Sequence, residues 1–385
     1  MSEVAEAKIE KSIVSSDKQL CFSVNRSSLL NKLSRVSGIV EKRNAIDILS
    51  CINVKAQDKN IKLKATNLDI SIFASLVANV LVEGEVRIPA HTLYDIVKKL
   101  PTNLDIHFKI DNQQAKLLIS CGNTSFSLPN VISNNFPLHE EEDYKYNFAL
   151  PSEDLIDLLT KVKFAVSLDD ARYNLNGIYL HTSERFLYFV ATDGHRLSCI
   201  KRFKPKNVNE EFGVIIPRKT VIELLKILDN CNETNIELSD KRIKFKCGEY
   251  VLISKLIDGA FPDYRTAIPI SQDKQMIIES AKLASAIDRV SVIMSDKIKS
   301  IKFSLQEKLL TLSSNSRSCG DATESIEVDY NEAPIQIGFN SRYLLDVLYC
   351  IKNKCQFNLS DCNSATVIID SDDPNALYIV MPMRT

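Results

Sequence analysis

Three stretches of the chain lie in register with one another at a spacing of about 125 residues. Such a threefold repeat constrains the fold more than any other property here, because each copy must build the same local structure. The copies run Phe22 to Val40, Phe148 to Val166 and Met276 to Met294. Their apolar positions agree: Leu29/Leu33/Val36/Val40, Leu155/Leu159/Val162/Val166 and Leu283/Ile287/Val290/Met294. Spacing of i, i+4, i+7, i+11 is one stripe of an amphipathic helix. Two residues past the second stripe position stand Arg35, Lys161 and Arg289. At about 100° per residue these cations lie away from the stripe, on the wet face.

A second triplet follows the first. Ile88 to Leu100, Ile216 to Leu228 and Phe339 to Ile351 align, with Pro89 and Pro217 suited to a first helical turn and Asn340 to an N-cap. A shorter echo is Ala65-Thr-Asn67, Ala191-Thr-Asp193 and Ser313-Ser-Asn315, each closing an alternating strand. The chain therefore reads as α+β, three structurally repeated domains, each with two helices on short strands. Polarity rises between copies at Leu138 to Lys145 and at Ile268 to Lys274. Domains are expected at 19–142, 143–269 and 270–385, behind a flexible tail at 1–18.

A length of 385 residues suits two or three cores, and 45% hydrophobic with 25% charged residues is ordinary for a soluble protein. No apolar run approaches the roughly 18 residues of a membrane span, and the start has no secretory pattern. A cytoplasmic location is expected. The ten cysteines are scattered without a Cys-x-x-Cys pair, the nearest two being Cys350 and Cys355. They are expected to be reduced thiols buried as core filler, with no zinc site and no other metal or cofactor.

Charge distribution says more than the net value of −1. Helices expected at 26–43, 89–100, 151–164, 217–229, 280–299 and 340–354 hold 19 Lys and Arg against 10 Asp and Glu. The rest of the chain holds 29 against 39, so helices and remainder have opposite sign. Cationic helices gathered on one surface would attract a phosphate backbone without reading bases. Nucleotide-binding glycine loops are missing. Asp193, His195 and Ser198 cluster in one phrase, but a Ser-His-Asp device is assembled from distant segments, so no catalytic residue is expected.

That phrase, Ala191-Thr-Asp-Gly-His-Arg-Leu197, carries a resemblance together with three others. They are Arg172-Tyr-Asn-Leu-Asn-Gly177, Lys255-Leu-Ile-Asp-Gly-Ala-Phe-Pro-Asp-Tyr-Arg265 and the ending Val380-Met-Pro-Met-Arg384. From about Gln19 to Thr385 the chain resembles the bacterial DNA polymerase III β subunits, the sliding clamps. The resemblance implies a head-to-tail homodimer closing into a ring, with helices lining the hole and sheets forming the wall. It implies a non-catalytic processivity factor that encircles duplex DNA. Its implied partners are the polymerase III catalytic subunit, the clamp loader, and other polymerases and repair factors carrying short clamp-binding peptides.

By matching motif positions, the implied peptide pocket comprises Leu175, Thr192, Gly194, His195, Arg196, Leu197, Pro262, Ile379, Val380, Met381, Pro382, Met383 and Arg384. For DNA the resemblance points to Arg43 and Tyr173, beside the repeating cations Arg35, Lys161 and Arg289. For the ring seam it points to Phe126 and Leu128 meeting Ile293 and Met294 of a second copy. Departures from the family pattern are Asp47 for a proline, Asp169 for a glutamine that faces DNA, and Thr266 and Ala365 for larger or more polar pocket residues. The rival readings are a non-ring repeat scaffold that binds proteins only, and an enzyme built around Asp193 and His195.

Overall fold

The computed structural model describes residues 20–42, 46–111, 116–129, 136–137, 142–229, 231–294, 299–316 and 319–383. The tail expected at 1–18 lies outside them. Among the described residues there are six α-helices: α1 (Arg26–Val36), α2 (Ala90–Lys99), α3 (Ser152–Lys163), α4 (Arg218–Leu228), α5 (Ser280–Ser291) and α6 (Ser341–Leu348). Each starts directly after a strand, at Cys21–Asn25, Gly84–Pro89, Tyr146–Pro151, Gly213–Pro217, Lys274–Glu279 and Ile335–Asn340. The strand-to-helix unit thus occurs twice per repeat, as the aligned triplets require.

Local chemistry fixes the junctions. The Asn25 side chain accepts hydrogen bonds from Ser27 N and Ser28 N, and Asn340 accepts one from Arg342 N at 3.0 Å. Both satisfy amide groups a helix start leaves unpaired. Pro89 and Pro217 stand one residue ahead of their helices, ending the strand instead of opening the first turn. The stripe residues Leu29, Leu33, Leu155, Leu159, Leu283 and Ile287 are all buried. Truncating one to alanine should cost about 2–5 kcal/mol. The helices are shorter than the periodicity suggests. α1 stops at Val36, yet Ile39 and Val40 in the turn beyond it remain buried, so the apolar pattern outlasts the helix.

The chain folds as two compact units: residues through Ser152 with Ile222–Lys255, and Glu153–Val221 with Leu256–Thr385. The first unit holds a five-stranded and an eight-stranded sheet, both antiparallel. In the larger sheet Tyr250–Lys255 pairs with Ile70–Val77, from Tyr250 opposite Ala74 to Ser254 opposite Ile70, joining strands of the first two repeats in one ladder. The second unit holds an eight-stranded and a four-stranded antiparallel sheet. There Arg196–Phe203 pairs with Ala376–Val380, joining strands of the last two repeats in the same way.

The short echo is a turn device. Thr66 Oγ1 donates to Ile70 O and accepts from Leu68 N, while Asn67 Oδ1 accepts from Asp69 N and Ile70 N. Thr192 Oγ1 donates to Arg196 O and accepts from Gly194 N, while Asp193 Oδ1 accepts from His195 N and Arg196 N. Leu68 and Gly194 occupy matching places, both with positive φ. Glycine suits the second by its positive φ, and an added Cβ there would lie 2.9 Å from Arg172 Nη1, which would have to move aside.

One expectation fails. Cys231 and Cys247 are joined as a disulfide with Cα atoms 5.7 Å apart, and do not stand as separate thiols. The turn after α4 brings Cys231 against the strand Arg242–Cys247, a proximity that a spacing of 16 residues does not reveal. Among the described residues no helix is long and apolar enough to cross a membrane, and no group of acidic, His and Cys side chains is arranged to hold a metal.

Candidate nucleic-acid and peptide-binding sites

The three repeating cations differ in their surroundings. Arg35 donates through Nε to Lys226 O at 2.9 Å, near the C-terminal end of α4, where orphan carbonyls and the helix dipole favour a cation. Arg289 is 61% exposed and grips Glu324 through two hydrogen bonds. Lys161 departs from the wet-face expectation. It is 12% exposed, and its ammonium lies 3.0 Å from both Asp157 and Asp373. Burial alone would lower its pKa, but the two carboxylates outweigh that and hold it raised. Arg43 lies outside the described residues.

Sequence reasoning missed a set of exposed cations. Lys163, Arg218 and Arg342 line one cleft of about 490 Å³ with Arg172, Tyr343 and Asp346. Arg218 was visible in the second triplet, directly after Pro217, and Lys163 two residues past the repeating cation. Asp169 opens on the same cleft. Its carboxylate caps Ala171 N and pairs with Arg172 Nε at 3.0 Å, and both contacts hold its pKa low. The anion that departs from the family pattern is thus neutralised by its neighbour. Tyr173 is exposed on the turn Asp170–Leu175, its ring beside Gly259.

The expected pocket residues converge, but on two faces of one sheet. Register places Thr192, Leu197, Ile379 and Val367 side by side. Leu197, Ile379 and Val367 join Val190, Cys199, Tyr264 and Ala365 in one apolar cluster, against which Phe261, Tyr179, Tyr188 and Ile268 pack. Pro262, exposed, follows Phe261 on the segment that covers this face. Thr266 Oγ1 donates to Asp263 O and so belongs to that segment's own turn. Burial pushes the Cys199 thiol up to about 11. Met381 N donates to His195 O at 2.9 Å and Met383 N to Gly338 O at 2.8 Å, which fixes the path through Pro382. Met381 and Met383 are exposed. Leu175 is buried, its carbonyl accepting from Ser167 N, and Asn174 ties that turn to Ala260 O. Arg384 lies outside the described residues.

Strand alternation sends Arg196 and its partner Val380 to the opposite face. The Arg196 side chain is 11% exposed and pairs with Asp193 at 3.1 Å and Asp346 at 2.5 Å. It also donates to Phe164 O, and its guanidinium lies over the rings of Tyr343 and Phe164. With every edge occupied it holds the sheet to α3 and α6 and cannot grip a peptide on the far side. His195 is exposed on the cleft side of the turn, its ring 6.4 Å from Tyr343. Among the described residues no hydrogen-bonded chain joins it to Ser198, whose hydroxyl donates to Lys161 O.

Of the residues expected at a ring seam, Phe126 and Leu128 lie half-buried on one face of the edge strand Thr124–Pro129. Ile293 and Met294 lie half-buried in the turn after α5, next to Val292, which is 80% exposed.

Comparison with known proteins places the chain. Three sequence families match in order: DNA polymerase III beta subunit N-terminal domain over residues 20–140, central domain over 149–263 and C-terminal domain over 265–384. The beta sliding clamp of Caulobacter vibrioides is 38% identical over 369 residues, covering 94% of this chain and 99% of that protein. That of Escherichia coli K12 is 31% identical over 369 residues, with the same coverage. The solved sliding clamp of Bartonella birtlesii, bound to griselimycin, superposes with a TM-score of 0.92 at 37% identity, over 95% of this chain and 100% of that one. Half a dozen helices, antiparallel sheets and a threefold repeat therefore have one explanation: the chain belongs to the DNA polymerase III beta subunit family, the sliding clamps of DNA replication.

Proposed function

We propose that two copies close head to tail into a ring around duplex DNA, and that the ring holds polymerases and repair factors through short peptides. Its domains would be 19–142, 143–269 and 270–385, the copies meeting through Phe126 and Leu128 against Ile293 and Met294. The observation that carries the ring is the uneven fate of the repeating cation. Arg35 reaches from the N-terminal family segment to α4 in the central one, and Lys161 from the central segment to Asp373 in the C-terminal one. Arg289, in the C-terminal family segment, pairs with Glu324 of that same segment and with no neighbouring one among the described residues, and it remains exposed beside the bare Val292. A second copy supplies the missing neighbour.

In this reading Lys163, Arg218 and Arg342 join Arg43 and Tyr173 as the phosphate-facing groups, while Arg35 and Lys161 serve packing. Diffuse cations without base contacts give affinity that permits sliding. The clamp acts by topology without turnover, in the cytoplasm. Peptides would seat at the rim of the cluster beneath which Leu197 and Ile379 lie, by Thr192, Pro262, Met381 and Met383, where methionine adapts to varied apolar anchors. Loading onto nicked circular DNA tests the ring: the protein should stay bound until the circle is cut. Equal release from circular and linear DNA would refute it, and a monomer that binds peptides alone would favour the scaffold. Removing Met381 to Thr385 should abolish binding of a Gln-Leu-x-Leu-Phe-type peptide in calorimetry while the dimer persists.

A further inference from the structure

The run Lys201-Arg-Phe-Lys-Pro-Lys206 is not used by any site described so far. Strand alternation divides its charges. Arg202 turns to one face and pairs with Asp157 and Asp373. Lys201 and Phe203 turn to the other. There Phe203 is the register partner of Phe186, their rings 5.1 Å apart and stacked. Phe203 is 77% exposed, an unusual state for a phenylalanine in a strand. Lys201 Nζ lies 4.9 Å over the Phe186 ring, and Lys204 N donates to Arg185 O, which brings Arg185 to the same end of the sheet. Lys206 follows two residues on.

None of Arg185, Lys201, Lys204 and Lys206 forms an ion pair among the described residues. The nearby acids in sequence are Glu184, on the preceding turn, and Glu210 and Glu211, on the loop whose Glu210 O accepts from Thr182. The aromatic pair is also braced from beneath: Phe186 meets Tyr188 edge-on at 6.1 Å, and Tyr188 stacks on His181 at 4.7 Å. The outer ring therefore stacks on a partner ring that is itself packed against another aromatic.

We propose that this platform binds single-stranded nucleic acid, with a base stacked on Phe203 and phosphates held by Lys201, Lys204, Lys206 and Arg185. An exposed ring among unpaired cations suits a base and its phosphate together, and it does so without regard to sequence. The assignment is separate from the ring and from the peptide pocket, since it needs only one short strand and one copy of the chain.

The test is fluorescence anisotropy with a labelled twelve-nucleotide oligothymidylate at low salt, on the full chain. Phe203→Ala should weaken binding by about tenfold, the loss of one stacked base. Lys201→Ala with Lys204→Ala should flatten the salt dependence by about 1.4, two single-strand phosphate contacts. Both changes lie at the surface, so melting temperatures should match wild type. Unchanged affinity in Phe203→Ala, or an unchanged salt slope in the double variant, overturns the proposal. So does a wild-type protein that ignores the oligonucleotide but takes up a Glu- and Phe-rich acidic peptide at this patch.

Discussion

Replacing Arg196 tests whether it binds the sheet to the helices or belongs to the peptide pocket. In Arg196→Ala, Asp193 and Asp346 lose their cation, and Phe164 O loses a donor. Breaking a buried pair typically costs about 3–5 kcal/mol. The lower end applies, because Asp346 is 35% exposed and Asp193 keeps the amides of His195 and Arg196. A loss of about 3 kcal/mol in a unit of this size corresponds to a melting shift of about 6–12 °C. Scanning calorimetry suits a chain of two compact units, whose transitions need not coincide. Arg196→Lys keeps one charge but not the fork, and should recover about half the loss. Lys145→Ala, whose pair with Asp240 is exposed on both sides, should shift by less than about 1 kcal/mol. Peptide affinity, measured below the transition, should fall less for Arg196→Ala than for Leu197→Ala. A melt within about 2 °C of wild type, the least shift that a whole kilocalorie allows in a unit of this size, or a larger peptide defect than Leu197→Ala, would refute the assignment.

Burial lowers the pKa of His181, which stacks between Tyr179 and Tyr188 and meets Tyr264 through a 3.0 Å hydrogen bond. Its neutral form is the folded one, so its contribution is complete above the unfolded value of about 6.5 and declines as pH falls below it. Urea titrations at pH 7.5 and 5.5 should show a steeper loss for wild type than for His181→Gln; parallel losses would discount the histidine. Burial alone would raise the Asp373 carboxyl, but hydrogen bonds from Arg202 and Lys161 outweigh it and hold it low. Its stabilisation is present above about pH 4 and is lost as pH falls through the lowered folded value, so Asp373→Asn should cost about 1–3 kcal/mol at pH 7 and a shrinking amount as the pH is taken below about 4. Cys247→Ala opens a loop of 16 residues and should cost about 3 kcal/mol, a loss that a reductant reproduces in wild type. Alkylation of all ten cysteines in the native, unreduced protein would instead show that the pair is not joined.

The helices and their order were legible because stripes such as Leu29, Leu33 and Val36 recur in register, and a repeat averages out local ambiguity. The turn echo was legible as a pattern but not as a mechanism: only coordinates show Thr66 and Thr192 making the same pair of hydrogen bonds. What periodicity could not reach was long-range pairing. Lys161 reads as a surface cation on its own helix, and Asp373, 212 residues away, is what buries it. Arg196 sits inside the motif of the expected pocket, yet strand alternation turns its side chain to the opposite face of the sheet from Leu197. A period of two carries that information, but its sign depends on which face the covering segment Phe261 to Ile268 takes. Cys231 and Cys247 meet for the same reason, across a strand that sequence spacing does not orient.

The ladders that run from one repeat into the next decide where such a molecule can part. Between Tyr250–Lys255 and Ile70–Val77, and again between Arg196–Phe203 and Ala376–Val380, neighbours are stitched by main-chain amides, which no substitution other than proline removes. A loader that must admit a DNA strand sideways would find those seams the stubborn ones. In the proposed ring, compliance would then fall to the junction between chains, where Phe126 and Met294 are proposed to meet, so evolution could retune how easily the gate springs without touching these ladders.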